Sequence, residues 1–193
     1  MLKRCLGALL LVAMLTGCGL LAGDESLDRA DAFRKQAGSS GGSFRADIVA
    51  DLGEVQFSFS MDCQFDAEGT MTFAVTAPET IADITGTMDG ADGQLTFDGA
   101  ALDFGQMAGG RVTPVTGPYV LLTCWREGYC TACGQEERGL RLTMPAGYES
   151  QALLTDTWLD PENGIPIYAE LCYNNQRILS ITISDFTFDN AGE

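Results

Sequence analysis

Alternation of apolar and polar residues dominates the middle of this chain, and it is strongest between residues 55 and 65. There the apolar side chains occupy every second position, beginning at Val55 and ending at Phe65. In a strand, successive side chains point to opposite faces, whereas a helix would spread these phenylalanines around its circumference. We therefore predict a strand over this stretch, preceded by another from Phe44 to Leu52.

The same alternation continues in shorter segments separated by turn residues. We predict strands over 71–75, 84–88, 95–97, 140–144, 152–159, 165–173 and 176–188. Asparagine tolerates positive φ, so Asn163-Gly164 and Asn174-Asn175 are predicted to reverse the chain between the last three strands. Residues 106–118 and 129–137 are predicted to be connections.

Two segments have a helical pattern instead. Residues 24–37 carry an apolar stripe and end before Gly38, a residue that favours helix termination. Residues 118–126 begin with Pro118, which suits the first turn of a helix, and place Tyr119, Leu122 and Trp125 on one face. Closely spaced strands with two helices predict an α+β fold, with one antiparallel sheet and its helices on one side. We expect a single domain over residues 24–193.

The N-terminus has the pattern of an export signal. Lys3 and Arg4 precede an apolar run that ends at Leu15, which is too short to cross a bilayer. The sequence Leu-Thr-Gly then precedes Cys18 and resembles the bacterial lipobox. This resemblance implies removal of residues 1–17, acylation of Cys18, a tether over residues 18–23, and attachment to the extracytoplasmic face of the cell membrane. The alternative is an ordinary secretory signal followed by a chance cysteine.

The charge of the chain argues against several classes of function. After removal of the signal, nine basic residues remain against 27 acidic ones. With such a balance we expect no basic surface for nucleic acid. The sequence also contains no histidine, the commonest general base and metal ligand. We therefore predict a non-catalytic protein with no cofactor.

Five cysteines remain beyond Cys18. Cys124, Cys130 and Cys133 are close in sequence and leave three alternatives, namely a disulfide within this segment, a metal site, or free thiols. A zinc site needs four ligands, and this segment offers only one tightly spaced pair. We therefore predict a disulfide and no metal. Cys63 and Cys172 lie within predicted strands and are expected to be small core residues.

Several turn motifs resemble those of the LolA/LolB lipoprotein-carrier superfamily. They comprise Val75 to Glu79, the run Leu159-Asp160-Pro161 followed by Gly164 and Pro166, and the closing residues Ile183, Asp185 and Phe186. The resemblance covers most of residues 24–188. It implies a strongly curved antiparallel half-barrel, closed by two or so helices around a hydrophobic cavity that binds acyl chains. A chain with a lipobox is similar to LolB rather than to the soluble carrier LolA.

The candidate cavity is lined by the inward apolar residues of the predicted strands. These are Phe57, Phe59, Met61, Met71, Phe73, Leu95, Phe97, Leu142 and Met144. Methionine is adaptable and suits a wall that receives flexible acyl chains. The expected function is binding or transfer of a lipid or another hydrophobic molecule in the cell envelope. The alternative is an ordinary filled core, in a lipoprotein that docks another envelope or sporulation protein.

Substitution of the predicted acylation site tests the membrane anchor. We expect Cys18→Ala to move the protein from the membrane fraction to the soluble extracytoplasmic fraction, because each buried methylene of a lipid chain contributes about 0.8 kcal/mol to membrane binding. Immunoblotting of the two fractions measures this shift. Unchanged membrane retention of the variant would contradict the lipoprotein assignment.

Overall fold

A computed structural model describes residues 22–51, 53, 55–105, 107–108, 111–146 and 153–189. The predicted signal, Cys18 and residues 19–21 of the tether lie outside this range. Helix α1 spans Ala22–Ala37 and therefore begins two residues before the predicted helix. Within the described ranges, no helix is both long and apolar enough to cross a membrane.

Thirteen strands and a second helix follow α1. The strands before the second helix are β1 Gly42–Asp51, β2 Gln56–Phe65, β3 Met71–Ala77, β4 Thr85–Asp89, β5 Asp92–Phe97, β6 Ala100–Gly105, β7 Met107–Ala108 and β8 Arg111–Val112. A 3₁₀ turn at Pro114–Thr116 leads into helix α2, Gly117–Glu127. The remaining strands are β9 Ala132–Glu136, β10 Gly139–Pro145, β11 Leu153–Leu159, β12 Pro166–Tyr173 and β13 Gln176–Phe188.

Eleven of these strands form one antiparallel sheet, as the alternation predicts. Their order is β6-β5-β4-β3-β2-β1-β13-β12-β11-β10-β9, and β7 pairs with β8 separately. Asn174 and Asn175 both adopt positive φ in the turn between β12 and β13, which confirms that prediction. The prediction of a connection over 129–137 is wrong in part, because β9 pairs with β10 there. The concave side of β9 carries a single apolar residue, Cys133, and its outer side includes Gly134. A strand this short and polar shows no alternation in the sequence.

One face of the sheet is apolar along most of its width. Ala46, Met61 and Val75 stand opposite one another on β1, β2 and β3, and all three are buried. The neighbouring positions Asp47 and Ser60 face the other side, where the Ser60 hydroxyl donates a hydrogen bond to the Asp47 carboxylate at 2.5 Å. Since paired residues of antiparallel strands share a face, the apolar side is continuous from strand to strand.

The position of α2 shows that the sheet is strongly curved. Tyr119 of α2 hydrogen-bonds the backbone of Gly90, after β4, while the Sγ of Cys124 lies 4.0 Å from the carbonyl oxygen of Pro145 in β10. β4 and β10 are seven strand positions apart in the sheet order. That separation is about 34 Å in a flat sheet, whereas a helix of this length is about 16 Å long. The sheet therefore bends around α2, and its apolar face is concave, as the predicted half-barrel requires.

Trp125 of α2 forms the centre of the core. Its side chain is fully buried, and its ring lies 5.5 Å from that of Phe33 in α1, 6.0 Å from that of Phe44 in β1 and 6.1 Å from that of Phe186 in β13. The indole Nε1 donates a hydrogen bond of 2.9 Å to the hydroxyl of Thr157 in β11. One side chain thus joins both helices to three strands, and its only polar atom is satisfied.

Two arginines connect the ends of the helices. Arg34 of α1 donates a hydrogen bond to the carbonyl oxygen of Gly128, which follows α2. In the opposite direction, Arg126 of α2 donates to the carbonyl oxygen of Ala37 at 2.9 Å and to that of Ala67 between β2 and β3. The carbonyl groups at the end of α1 have no partners within the helix, so Arg126 satisfies one of them.

Removal of the Trp125 ring should destabilise the fold severely. We expect Trp125→Ala to lower the free energy of unfolding by about 3–5 kcal/mol, because it leaves a large cavity and an unpaired Thr157 hydroxyl. Leu27→Ala is the matched control, because this α1 side chain is 52% exposed. Denaturant unfolding followed by circular dichroism measures both. A loss no greater than that of the control would contradict the central role of Trp125.

Candidate functional site

The structure divides the nine candidate cavity residues into two groups. Six are buried in one continuous core on the concave face, in contact with the helices or with one another. They are Phe59, Met61, Met71, Phe73, Leu142 and Met144. The other three, Phe57, Leu95 and Phe97, lie on the same face but are not fully buried.

The three incompletely buried residues mark the part of the concave face that the helices leave open. Phe57 is 39% exposed and Phe97 is 43% exposed, although both lie on the apolar side of their strands. The ring of Phe57 stacks on that of Phe59 with centroids 6.2 Å apart. Phe57 therefore extends the buried core outwards, and its free face is in contact with solvent.

Strand pairing adds two further residues to this surface. Leu95 stands opposite Leu102 on β6, and Val75 hydrogen-bonds the backbone of Ile84 immediately before β4. Leu102 is 64% exposed, the largest exposed fraction among the large apolar residues described. We name this surface the apolar rim and define it as Phe57, Ile84, Leu95, Phe97 and Leu102. The sequence analysis missed Leu102 because it assigned no strand to residues 100–105.

The outer face of the same strands has a different chemistry. A groove of about 530 Å³ crosses β2 to β5 and is lined mainly by hydroxyl, amide and carboxylate side chains. They include Asp62, Gln64, Thr72, Thr87 and Gln94. The large exposed apolar side chains of β5 and β6, Phe97 and Leu102, lie on the concave side instead.

The candidate disulfide residues occupy different environments. Cys124 is buried in α2 against the carbonyl group of Pro145. Cys130 and Cys133 are half-buried, Cys130 just before β9 and Cys133 within it. Burial, followed by the nearby charges of Cys130 and Asp31, raises the pKa of the Cys133 thiol. All five described cysteines are free thiols in the structure. A disulfide in this segment stays a prediction, and because Cys124 is buried in α2, Cys130 and Cys133 are the pair that we test.

The remaining cysteines differ from each other. Cys63 is buried on the concave face, as expected, and burial raises its pKa far above the usual range of a thiol. The expectation that Cys172 is a core residue is wrong. Leu171 takes the concave side of β12, so Cys172 points to the outer face, where it lies near Asp156, Glu170 and Arg177.

A cluster of aromatic and charged side chains lies on the outer face of β9 to β12. The guanidinium carbon of Arg138 is 3.7 Å from the ring centroid of Tyr168 and 5.5 Å from that of Trp158. The Nε1 of Trp158 donates to Glu136 at 2.9 Å, and Arg141 pairs with the same carboxylate at 2.8 Å. The bond from Trp158, together with Arg141, lowers the pKa of Glu136. Sequence analysis missed this cluster because its members lie on separate strands.

Comparison with known proteins gives similarity in fold. No protein-family model and no curated protein sequence matches the chain. Among solved structures, it is similar to a LolA superfamily protein from Nitrosomonas europaea, at 10% identity over 84% of this chain and 94% of that one, with a TM-score of 0.44. A putative outer membrane lipoprotein-sorting protein domain from Vibrio parahaemolyticus matches at 10% identity over 88% and 94% of the chains, with a TM-score of 0.49.

A third similar structure is the lipoprotein LppX from Mycobacterium tuberculosis, at 11% identity over 88% of this chain and 99% of that one, with a TM-score of 0.42. A similarity of 10–11% identity does not indicate which ligand or partner this chain binds.

Differential alkylation tests these assignments of the thiols. At about pH 8, Cys124 should remain protonated and unreactive, because burial raises its pKa to about 11. We expect Cys63 and Cys124 to react only after unfolding, Cys172 to react in the native protein, and Cys130 and Cys133 to be recovered as one disulfide-linked peptide.

Peptide mass spectrometry of protein purified without reductant identifies each state, and Cys172 serves as the accessible control. Alkylation of both Cys130 and Cys133 before reduction would contradict the disulfide. Labelling of Cys63 at the rate of Cys172 would contradict its burial.

Proposed function

We propose that this protein is a membrane-tethered extracytoplasmic lipoprotein that binds the acyl chains of a lipid on its concave face, without catalysis. The observation that carries the proposal is the apolar rim. Phe57, Phe97 and Leu102 are each at least 39% exposed on a face that is otherwise the core side of the sheet. Exposed apolar side chains grouped on one face in this way are typical of ligand grooves or interaction sites.

The energetics of the rim favour a flexible apolar ligand. Fully burying one such side chain contributes about 1.5–3 kcal/mol relative to leaving it in water. An acyl chain laid across Phe57, Leu95 and Phe97 would continue the packing of Phe59 and Met61 beneath them. Because β5 and β6 contain no fully buried residue, this part of the sheet can adjust to ligands of different shape.

The chemistry near the rim supports binding rather than catalysis. Catalysis by nucleophile and base usually pairs a hydroxyl or thiol with histidine, and the sequence has none. Of the described thiols, Cys63 and Cys124 have pKa values raised by burial, which disfavours the reactive thiolate.

The predicted anchor would hold the domain close to the bilayer. Helix α1 begins at Ala22, four residues after Cys18. Four residues reach at most about 14 Å when extended. An acylated Cys18 would therefore keep the folded domain within a short distance of the lipid head groups, which suits uptake of a ligand from the membrane.

A protein-docking role is the second candidate, and the outer-face cluster favours it. Trp, Tyr and Arg are the residue types enriched in the energetically dominant parts of protein interfaces. The guanidinium carbon of Arg138 is 3.7 Å from the ring centroid of Tyr168, and the Arg138 side chain is exposed, so a partner can reach this group. Failure of the protein to bind any lipid would favour this role over the first.

Substitution at the rim tests lipid binding. The mature chain, residues 18–193 with Cys18→Ser to remove the anchor, is titrated with a diacylglycerol that carries a fluorescent group. We expect Phe97→Ser to weaken binding about tenfold or more, because the lost apolar contact is worth about 1.5–3 kcal/mol.

Val49→Ser is the matched control for this experiment. Val49 is 37% exposed, similar to Phe97 at 43%, but it lies on the opposite face of the sheet. We expect the control to bind as the parent does. Equal effects of both substitutions would contradict a ligand site at the rim.

A further inference from the structure

We infer that the lipid bound at the apolar rim has a head group without net negative charge. This inference rests on the proposed function and specifies the class of ligand. It follows from the charged residues that surround the rim and from the positions of the basic residues elsewhere in the fold.

Acidic residues flank the rim at two positions. Asp98 directly follows Phe97 in the turn between β5 and β6, and Asp83 directly precedes Ile84. Both are exposed. Asp83 and Asp98 are therefore each adjacent in sequence to a rim residue. Charges that lie within a Debye length, about 8 Å at physiological salt, interact appreciably.

The basic residues of the helices are directed elsewhere. Arg29 donates to the carbonyl oxygen of Pro161, between β11 and β12, and Arg34 to that of Gly128. Arg126 binds carbonyl groups at Ala37 and Ala67. These contacts lie at the end of the sheet where β2 meets β3 and β11 meets β12. Strand pairing places the rim residue Phe57 at the other end of β2.

The described arginines of the sheet lie on its outer face. Arg45 is within 4 Å of Asp47 and Asp62, at 3.8 and 3.9 Å. Arg177 pairs with Glu170 at 3.0 Å. Arg138 and Arg141 belong to the cluster around Trp158. None of the arginines whose side chains the structure describes makes a contact at the rim.

This arrangement discriminates against phosphate and carboxylate head groups. A protein that binds an anionic lipid needs arginine, lysine or backbone N–H groups near the head group. Here an anionic head group would instead meet the carboxylates of Asp83 and Asp98 while its acyl chains lay on Ile84 and Phe97. A head group of uncharged hydroxyls meets no such repulsion and can donate hydrogen bonds to the same carboxylates.

Competition between two lipids that differ only in the presence of a phosphate group tests the inference. The mature chain carrying Cys18→Ser is loaded with a fluorescent diacylglycerol, which is displaced by unlabelled diacylglycerol or by phosphatidic acid with the same acyl chains. We expect displacement by diacylglycerol at a concentration about tenfold lower, and a smaller difference at high salt. Equal or stronger displacement by phosphatidic acid would overturn the inference while leaving the proposed function intact.

Charge variants provide a second measurement. Asp83→Asn with Asp98→Asn removes two carboxylates and keeps a residue that tolerates positive φ, which both positions adopt. We expect this double variant to reduce several-fold the ratio of the concentrations at which phosphatidic acid and diacylglycerol displace the probe. Glu68→Gln, in the exposed turn between β2 and β3, is the control and should leave the difference unchanged. An unchanged difference in the double variant would overturn the inference, and failure of every lipid to bind would overturn the proposed function.

Discussion

The insertion of Trp125 into the concave face is the contact on which the rest of this structure depends. An antiparallel sheet of this width has one apolar face that must be covered, and only two helices are available in the described chain to cover it. By reaching Phe33, Phe44 and Phe186 at once, Trp125 fixes α2 against α1 and against the centre of the sheet. The hydrogen bond to Thr157 also sets the orientation of the ring.

The size of α2 then determines where the sheet is left uncovered. A helix of 11 residues is shorter than the arc of the strands around it, so coverage is most extensive near β1 and β13 and decreases towards β6. The buried methionines Met61 and Met71 lie in the covered part, and Phe97 and Leu102 in the uncovered part. The apolar rim is therefore a consequence of incomplete coverage, and a ligand there would complete the packing that the helices begin.

Much of the fold could be predicted because alternation reports which face a strand residue occupies. The phenylalanines and methionines of β2 and β3 follow that pattern. In α2, the apolar residues Tyr119, Leu122 and Trp125 recur at the spacing of a helix instead. Alternation does not report whether another element covers that face. Phe57 and Phe59 look identical in the sequence, yet only Phe59 is buried. The division of the candidate cavity residues into core and rim therefore required the structure.

Short polar strands account for the other differences. β9 contains Gly134 and Gln135, and it exists because β10 supplies a paired neighbour rather than because its own residues favour a strand. The cluster around Trp158 has a related explanation. Arg141 faces Trp158 across β10 and β11, and Tyr168 faces it across β11 and β12, so the group forms only after the register is set.

The uneven burial along the sheet has a consequence for its motion. No residue of β5 or β6, all of which the structure describes, is fully buried, whereas β10 near the opposite edge is buried at five of its seven positions. Backbone hydrogen bonds that lack such support open with the smallest free energies. The sheet is thus firm on the side that α1 supports and loosens progressively towards β6. The edge of the half-barrel at β6 is therefore expected to be more mobile than the opposite edge near β10.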